Sequence, residues 1–190
     1  MFEVRLHGRG GQGTVLAAGI LAKALVAEGK HVVAVPQFGF ERRGAPVAAY
    51  LRASDTPMRA MTNIYAPDCV VCIDSSLPRV VDIFAGLRAG GTLVQASSLA
   101  PQDIAVPESV ATVAVCDAVG IAREVFGRPI TNTVMLAAFA RATGLVSIEA
   151  LASALEETSF RDGGLVQNRR ALALGYARTV VHPIPRREAA

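Results

Sequence analysis

The chain has 190 residues and a formal net charge of +3, enough for one domain with a sizeable core but too little positive charge to argue by itself for nucleic acid. Hydrophobic residues make up 52% and aromatics only 5%, so the core is built from Ala, Val, Leu and Ile, the palette of parallel strands covered by helices. No apolar run is long enough to span a bilayer, no signal-peptide pattern opens the chain, and three cysteines make no disulfide framework, so a soluble protein of the reducing cytoplasm is expected.

Phe2 to His7 reads as a short strand in which β-formers alternate with Glu3 and Arg5. A glycine-rich loop comes next, and Gln12 to Glu28 then carries Val15, Leu16, Ile20, Leu21, Leu25 and Val26 at helical spacing, ended by Gly29. His31 to Val35 is a second strand. Together these form a strand–loop–helix–strand unit, the opening of a parallel α/β sheet. Pro36 to Pro46 is a loop, Val47 to Leu51 a strand, and the apolar run Cys69 to Ile73 a buried central strand. Leu77 to Leu87 has helical character and Gly90-Gly91 breaks it; Thr92 to Gln95 and Ala111 to Val115 are further strands. The remainder is helical: Asp117 to Phe126, Thr133 to Ala142 with Asn132 as its cap, Ile148 to Glu157 with Ser147 as its cap, and Leu165 to Val180. The tail from His182 is expected to be extended. The fold class is therefore α/β, one domain over residues 1–190, with a mainly parallel, doubly wound sheet, a Rossmann-like opening and a helical C-terminal part.

Gly8, Gly10 and Gly13 satisfy G-x-G-x-x-G directly after a strand and before a helix, the context the motif needs. The glycines allow tight turning and close backbone approach, and a helix N-terminus offers free N–H groups to an anion. Arg9 adds a cation. A nicotinamide site also expects an acid at the end of the second strand to hold the ribose. Here that strand ends Val35-Pro36-Gln37; Glu28 lies inside the helix and Glu41 well into the loop. Two bland alternatives stand beside a dinucleotide site: a tight turn that merely requires glycine, and a contact with a neighbouring chain.

The string Gly8-Arg9-Gly10-Gly11-Gln12-Gly13 resembles the signature of the γ subunit of pyruvate:ferredoxin oxidoreductase and related 2-oxoacid:acceptor oxidoreductases. Further segments match that family in order: Gln37 to Val47 (Gln-Phe-Gly-Phe-Glu-Arg-Arg-Gly-Ala-Pro-Val), Arg52-Ala53-Ser54, Pro67-Asp68 leading into Ile73-Asp74, and Gly127 to Leu136. Gly90-Gly91-Thr92-Leu93 also fits. The resemblance implies oxidative decarboxylation of a 2-oxoacid, with the acyl group passing to coenzyme A and electrons leaving through iron–sulfur clusters to ferredoxin or, through a flavoprotein with FAD, to NAD. It implies partners: α and β subunits that hold thiamine diphosphate and Mg, and a ferredoxin-like δ subunit. This chain then carries no thiamine segment, no catalytic residue and no metal site of its own. Its candidate binding residues are Gly8, Arg9, Gly10, Gly11, Gln12 and Gly13.

A second candidate is the loop Phe40, Glu41, Arg42, Arg43 and Gly44, where charges sit beside the aromatics Phe38 and Phe40 as they do at interfaces. It is expected to meet the thiamine-binding subunits or a phosphate of coenzyme A. Phe40 stands where the pyruvate enzymes more often have Pro, which raises an aromatic substrate such as phenylglyoxylate. Cys69 and Cys72 form a C-x-x-C, but an offset of three on a strand puts them on opposite faces, so both are expected to be core residues. His7 faces a site or bonds a nearby carbonyl; Asp74 lines the crevice at the end of its strand or caps the next helix. The rival functions are a stand-alone NAD-binding oxidoreductase and a purely structural subunit.

Overall fold

The computed structural model describes residues 1–37, 43–59, 62–158 and 164–185. Among these residues seven strands form one sheet: β1 (Phe2–Arg9), β2 (His31–Gln37), β3 (Pro46–Ser54), β4 (Cys69–Cys72), β5 (Gly91–Ala96), β6 (Val110–Cys116) and β7 (Val180–Pro183). Their order across the sheet is β2-β3-β1-β4-β5-β6-β7. Among the described residues five α-helices accompany it: α1 (Thr14–Ala27), α2 (Ala118–Phe126), α3 (Asn132–Thr143), α4 (Ile148–Glu156) and α5 (Leu165–Arg178). None of the described helices is long and apolar enough to cross a membrane.

The central strands β1, β4, β5 and β6 pair in parallel, and β7 closes one edge antiparallel. The other end departs from a simple βαβ opening. β3 lies between β1 and β2 and pairs antiparallel to both. β1 and β2 therefore run the same way, as the sequence pattern implies, but one strand apart. The tail expected to be merely extended forms β7 by pairing Val180 to Pro183 with β6.

Chain direction reverses at the centre of the sheet: from β1 the chain passes through α1 toward β2, and from β4 it steps the other way to β5 and β6. This is the strand order of a doubly wound sheet, and it opens a crevice at the carboxyl ends of β1 and β4, although the described α-helices all pack on one face. The two faces are covered differently. Every α-helix contributes to the core with Val4, Leu6, Leu51, Val71, Val94 and Ala114. The opposite face, with Val70, Leu93 and Val113, is covered by the irregular connections that carry Leu77, Ile83, Leu87, Ile104 and Val106.

The segment expected to be a helix over Leu77–Leu87 has only a 3-10 turn at Leu77–Arg79. Its physical reason is Arg5. That guanidinium is buried on this face and donates to the carbonyls of Ile83 (2.9 Å) and Ala85 (2.7 Å). Those carbonyls turn inward to satisfy a buried charge, which an intrahelical ladder would not allow. The rest of that face is also charged. Arg52 meets Glu3 at 2.6 Å, and Arg88 bridges Glu3 and Asp68, each at 2.7 Å. The alternation of Glu3, Arg5 and His7 along β1 thus marks a buried ionic layer.

Candidate functional site

The glycine loop sits at the crevice where the winding reverses. Its backbone is tied to the neighbouring loop by Gly10 N donating to Ala45 O (2.8 Å) and Gly44 N donating to Gly10 O (3.0 Å). Two of its glycines are required sterically. A Cβ on Gly8 would lie 2.0 Å from Oγ1 of Thr14, and Gly13 has φ +75° with a Cβ position 2.6 Å from Nδ2 of Asn132. Such contacts and the left-handed backbone exclude side chains.

Arg9 is not a free cation. Its Nε donates to Asp74 Oδ2 (3.1 Å), Nη1 to the carbonyl of Gly44 (3.0 Å) and Nη2 to Ser76 Oγ (2.8 Å). Gln12 completes the lock: its Nε2 donates to the same Asp74 oxygen (2.7 Å), while its Oε1 accepts from Arg9 N (2.7 Å). Asp74 also accepts from Ser76 N (2.8 Å) and Ser76 Oγ (2.6 Å), so it both lines the crevice and caps the turn after β4. Burial pushes its carboxyl up, but the bonds from Ser76 and Gln12 and the Arg9 charge outweigh that and hold it below the usual carboxylate value. Arg9 and Gln12 therefore set loop geometry, stitching together β1, the turn after β4 and the loop at Gly44.

Arg43 behaves differently. It is exposed, its Cγ lies 3.9 Å from the Cβ position of Gly11, and it enters no ion pair among the described residues. Of the second candidate set, Arg43 and Gly44 thus stand beside the glycine loop, whereas Phe40, Glu41 and Arg42 lie outside the described residues.

His7 points to the opposite face rather than to the loop. Its Nε2 accepts from Arg5 Nε at 2.9 Å, a guanidinium rather than the carbonyl considered from sequence. Burial and then the Arg5 charge lower its pKa to about 4. Cys69 and Cys72 are on opposite faces and buried, as is Cys116. Burial pushes all three thiols up, Cys72 to about 12. Such thiols are poor thiolate ligands. Among the described residues no group of three or more His, Cys, Asp or Glu could hold a metal ion.

Asn132 departs from its expected role as a cap. It is the first residue of α3; the cap position is Thr131, and no side-chain cap bond forms. Its carboxamide instead lies against Gly13. Ser147, by contrast, caps α4 as expected, its Oγ accepting from Ala150 N. A cavity of about 330 Å³ at the carboxyl ends of β4, β5 and β6, lined by Ser75, Ser97, Asp117 and Arg123 among others, was not visible in the sequence because no motif marks it.

The geometry also bears on a nicotinamide site. Gln37, the last residue of β2, is level with Ala48, which in turn faces His7 of β1. An acid there would stand two strand spacings from β1, roughly 10 Å, because β3 intervenes. In a dinucleotide fold the equivalent strand is adjacent.

Comparison with known proteins bears on all of this. Residues 3–178 match the family model described as pyruvate ferredoxin/flavodoxin oxidoreductase. The chain is 60% identical, over the whole of both proteins, to the NADH-dependent phenylglyoxylate dehydrogenase subunit gamma of Aromatoleum evansii. It is 46% identical over 97% of its length and all of the relative to the pyruvate/ketoisovalerate oxidoreductases common subunit gamma of Thermococcus kodakarensis. The crystal structure of a pyruvate oxidoreductase subunit from Thermotoga maritima superposes with a TM-score of 0.81 at 36% identity, covering 95% of this chain and 97% of that one. A glycine loop locked to Asp74 across a doubly wound sheet is thus set in a chain that matches one family almost end to end, and this chain belongs to the pyruvate ferredoxin/flavodoxin oxidoreductase family.

Proposed function

We propose that this chain is the γ-type subunit of a hetero-oligomeric, thiamine-dependent 2-oxoacid:acceptor oxidoreductase, and that its glycine loop with Arg43 takes a phosphate of coenzyme A. The observation that supports the phosphate reading is an exposed guanidinium at Arg43, with no ion pair among the described residues, beside a loop whose own cation, Arg9, is bonded to Asp74, Ser76 and the carbonyl of Gly44. Backbone N–H groups at the start of α1 and the exposed charge of Arg43 are what an incoming oxyanion needs. Thiamine diphosphate, Mg and the iron–sulfur clusters belong to α, β and δ partners; an iron–sulfur cluster takes thiolates, and the three buried thiols here do not fit one. When bound, coenzyme A supplies the thiol that accepts the acyl group. This chain's part is to hold and orient its anionic end, and to pack against the thiamine-binding subunits through the loop that includes Phe40, Glu41 and Arg42. The 60% identity to a phenylglyoxylate dehydrogenase subunit, together with Phe40, favours an aromatic 2-oxoacid, with a flavoprotein partner carrying FAD and passing electrons to NAD.

The test is kinetic. Arg43→Glu in the assembled complex should raise the KM for coenzyme A about tenfold or more, with little change in the KM for the 2-oxoacid. Intact assembly with an unchanged KM for coenzyme A would overturn the assignment. Loss of assembly in an Arg42→Glu, Arg43→Glu pair would mark the loop as an interface.

A further inference from the structure

We propose that Asn132 and Thr14 are ligand contacts, completing an oxyanion cradle where the N-termini of α1 and α3 meet; this rests on reading the glycine loop as a phosphate site. α1 has 14 residues and α3 has 12, and neither has an acid in its first turn or a side-chain cap. Each helix therefore leaves the free N–H groups and partial positive charge of its N-terminus without an anionic partner. The two ends touch. Gly13, which precedes α1, has its Cβ position 2.6 Å from Nδ2 and 3.2 Å from Cγ of Asn132. A side chain at Gly13 would drive the carboxamide away.

A second, independent observation points to a ligand. Among the described residues, the buried side-chain polar atoms without a hydrogen-bond partner are Thr14 Oγ1 and Asn132 Oδ1. Thr14 is 2% exposed and Asn132 5%. The residues that carry them flank the glycine loop: Thr14 Oγ1 packs on Gly8, and Asn132 packs on Gly13 through Nδ2. Buried polar groups are almost always paired, and those that are not call for a partner absent from the fold itself. The hydroxyl can donate or accept, and a half-turn of the carboxamide exchanges its donor and acceptor ends. A diphosphate seated at the two helix ends would find donors in both side chains and in the free backbone N–H groups. Coenzyme A and a free nucleotide share that group.

The discriminating substitution is Asn132→Asp, which keeps size and adds a negative charge. An acid at two helix N-termini is favourable to the fold, so the melting temperature of the full chain should hold or rise, while affinity for inorganic pyrophosphate falls about tenfold or more. A residue that only packs helices predicts unchanged pyrophosphate affinity, and that result overturns the proposal, as does the absence of saturable pyrophosphate binding by the wild-type chain at roughly millimolar concentration. Should Asn132→Asp misfold, Thr14→Val removes the hydroxyl without a charge and must weaken pyrophosphate binding by itself. Loss of pyrophosphate binding in Asn132→Asp with an unchanged KM for coenzyme A in the assembled complex leaves the cradle standing and removes coenzyme A as its ligand. The converse, an effect of Arg43→Glu on coenzyme A with none of Asn132→Asp on either ligand, leaves coenzyme A and removes the cradle.

Discussion

His7 is held neutral by its surroundings, and this makes it a pH probe of the buried face. The unfolded chain protonates the group below its ordinary value of 6.5, whereas the folded chain resists until about pH 4, first because the ring is buried and next because Arg5 is beside it. The stability it lends is therefore complete above pH 6.5, declines as the pH falls from 6.5 toward 4, and changes no further below that. Its size is on the order of 3 kcal/mol across the window. In His7→Gln, whose carbonyl can still accept from Arg5, urea denaturation at about pH 7 and about pH 4.5 should give a smaller difference than in the wild type. An equal difference would show that His7 is not the group responsible. The pairing itself was open to reading. Residues two apart on a strand share a face, so Arg5 and His7 had to be neighbours. Which covering segment would bury them depends on Ile83 and Ala85, far along the chain, and no local pattern carries that.

At the scale of the element, α1 shows how position decides the effect of one residue type. Gly19 lies inside the helix with nothing within 4 Å of a Cβ, so Gly19→Ala should stabilise the chain by ~0.5–1 kcal/mol. Gly13→Ala must adopt a left-handed backbone and displace Asn132, and should cost at least ~1–2 kcal/mol. Thermal or chemical denaturation of the two variants checks both signs. Helix boundaries and most strands were legible because they track the 3.6 and 2.0 periodicities of apolar residues. The Leu77–Leu87 segment was not, because its apolar spacing suits either a helix or an irregular cover, and the buried guanidinium of Arg5 decides between them. Asn132 was misjudged for a related reason. A side chain just before a helical run reads as a cap, and only the proximity of Gly13 shows its different use.

For the whole molecule, the α/β class, the glycine motif and the resemblance it carries were all contained in the order of the residues. Strand neighbours were not. The alternation in Val47–Leu51 says that the segment is a strand but not that it enters between β1 and β2. That insertion separates this fold from a dinucleotide-binding one, since it moves the end of β2 away from the glycine loop. It also sets the order in which the parts come together. β2 and β3 are sequential and antiparallel, so they can pair as a hairpin from local contacts, whereas β1 meets β3 only after a chain separation of some forty residues. The bonds that shape the glycine loop, Gly10 N to Ala45 O and Gly44 N to Gly10 O, join β1 to the start of β3. The glycine loop therefore cannot take its final form before the hairpin docks. In refolding monitored by pulsed hydrogen exchange, the amides of Gly10 and Gly44 should gain protection together with the β1–β3 pairs and later than those between β2 and β3. Protection of Gly10 ahead of the hairpin would show that the loop forms independently. A newly made chain therefore acquires the shape of this loop only once β3 is seated beside β1.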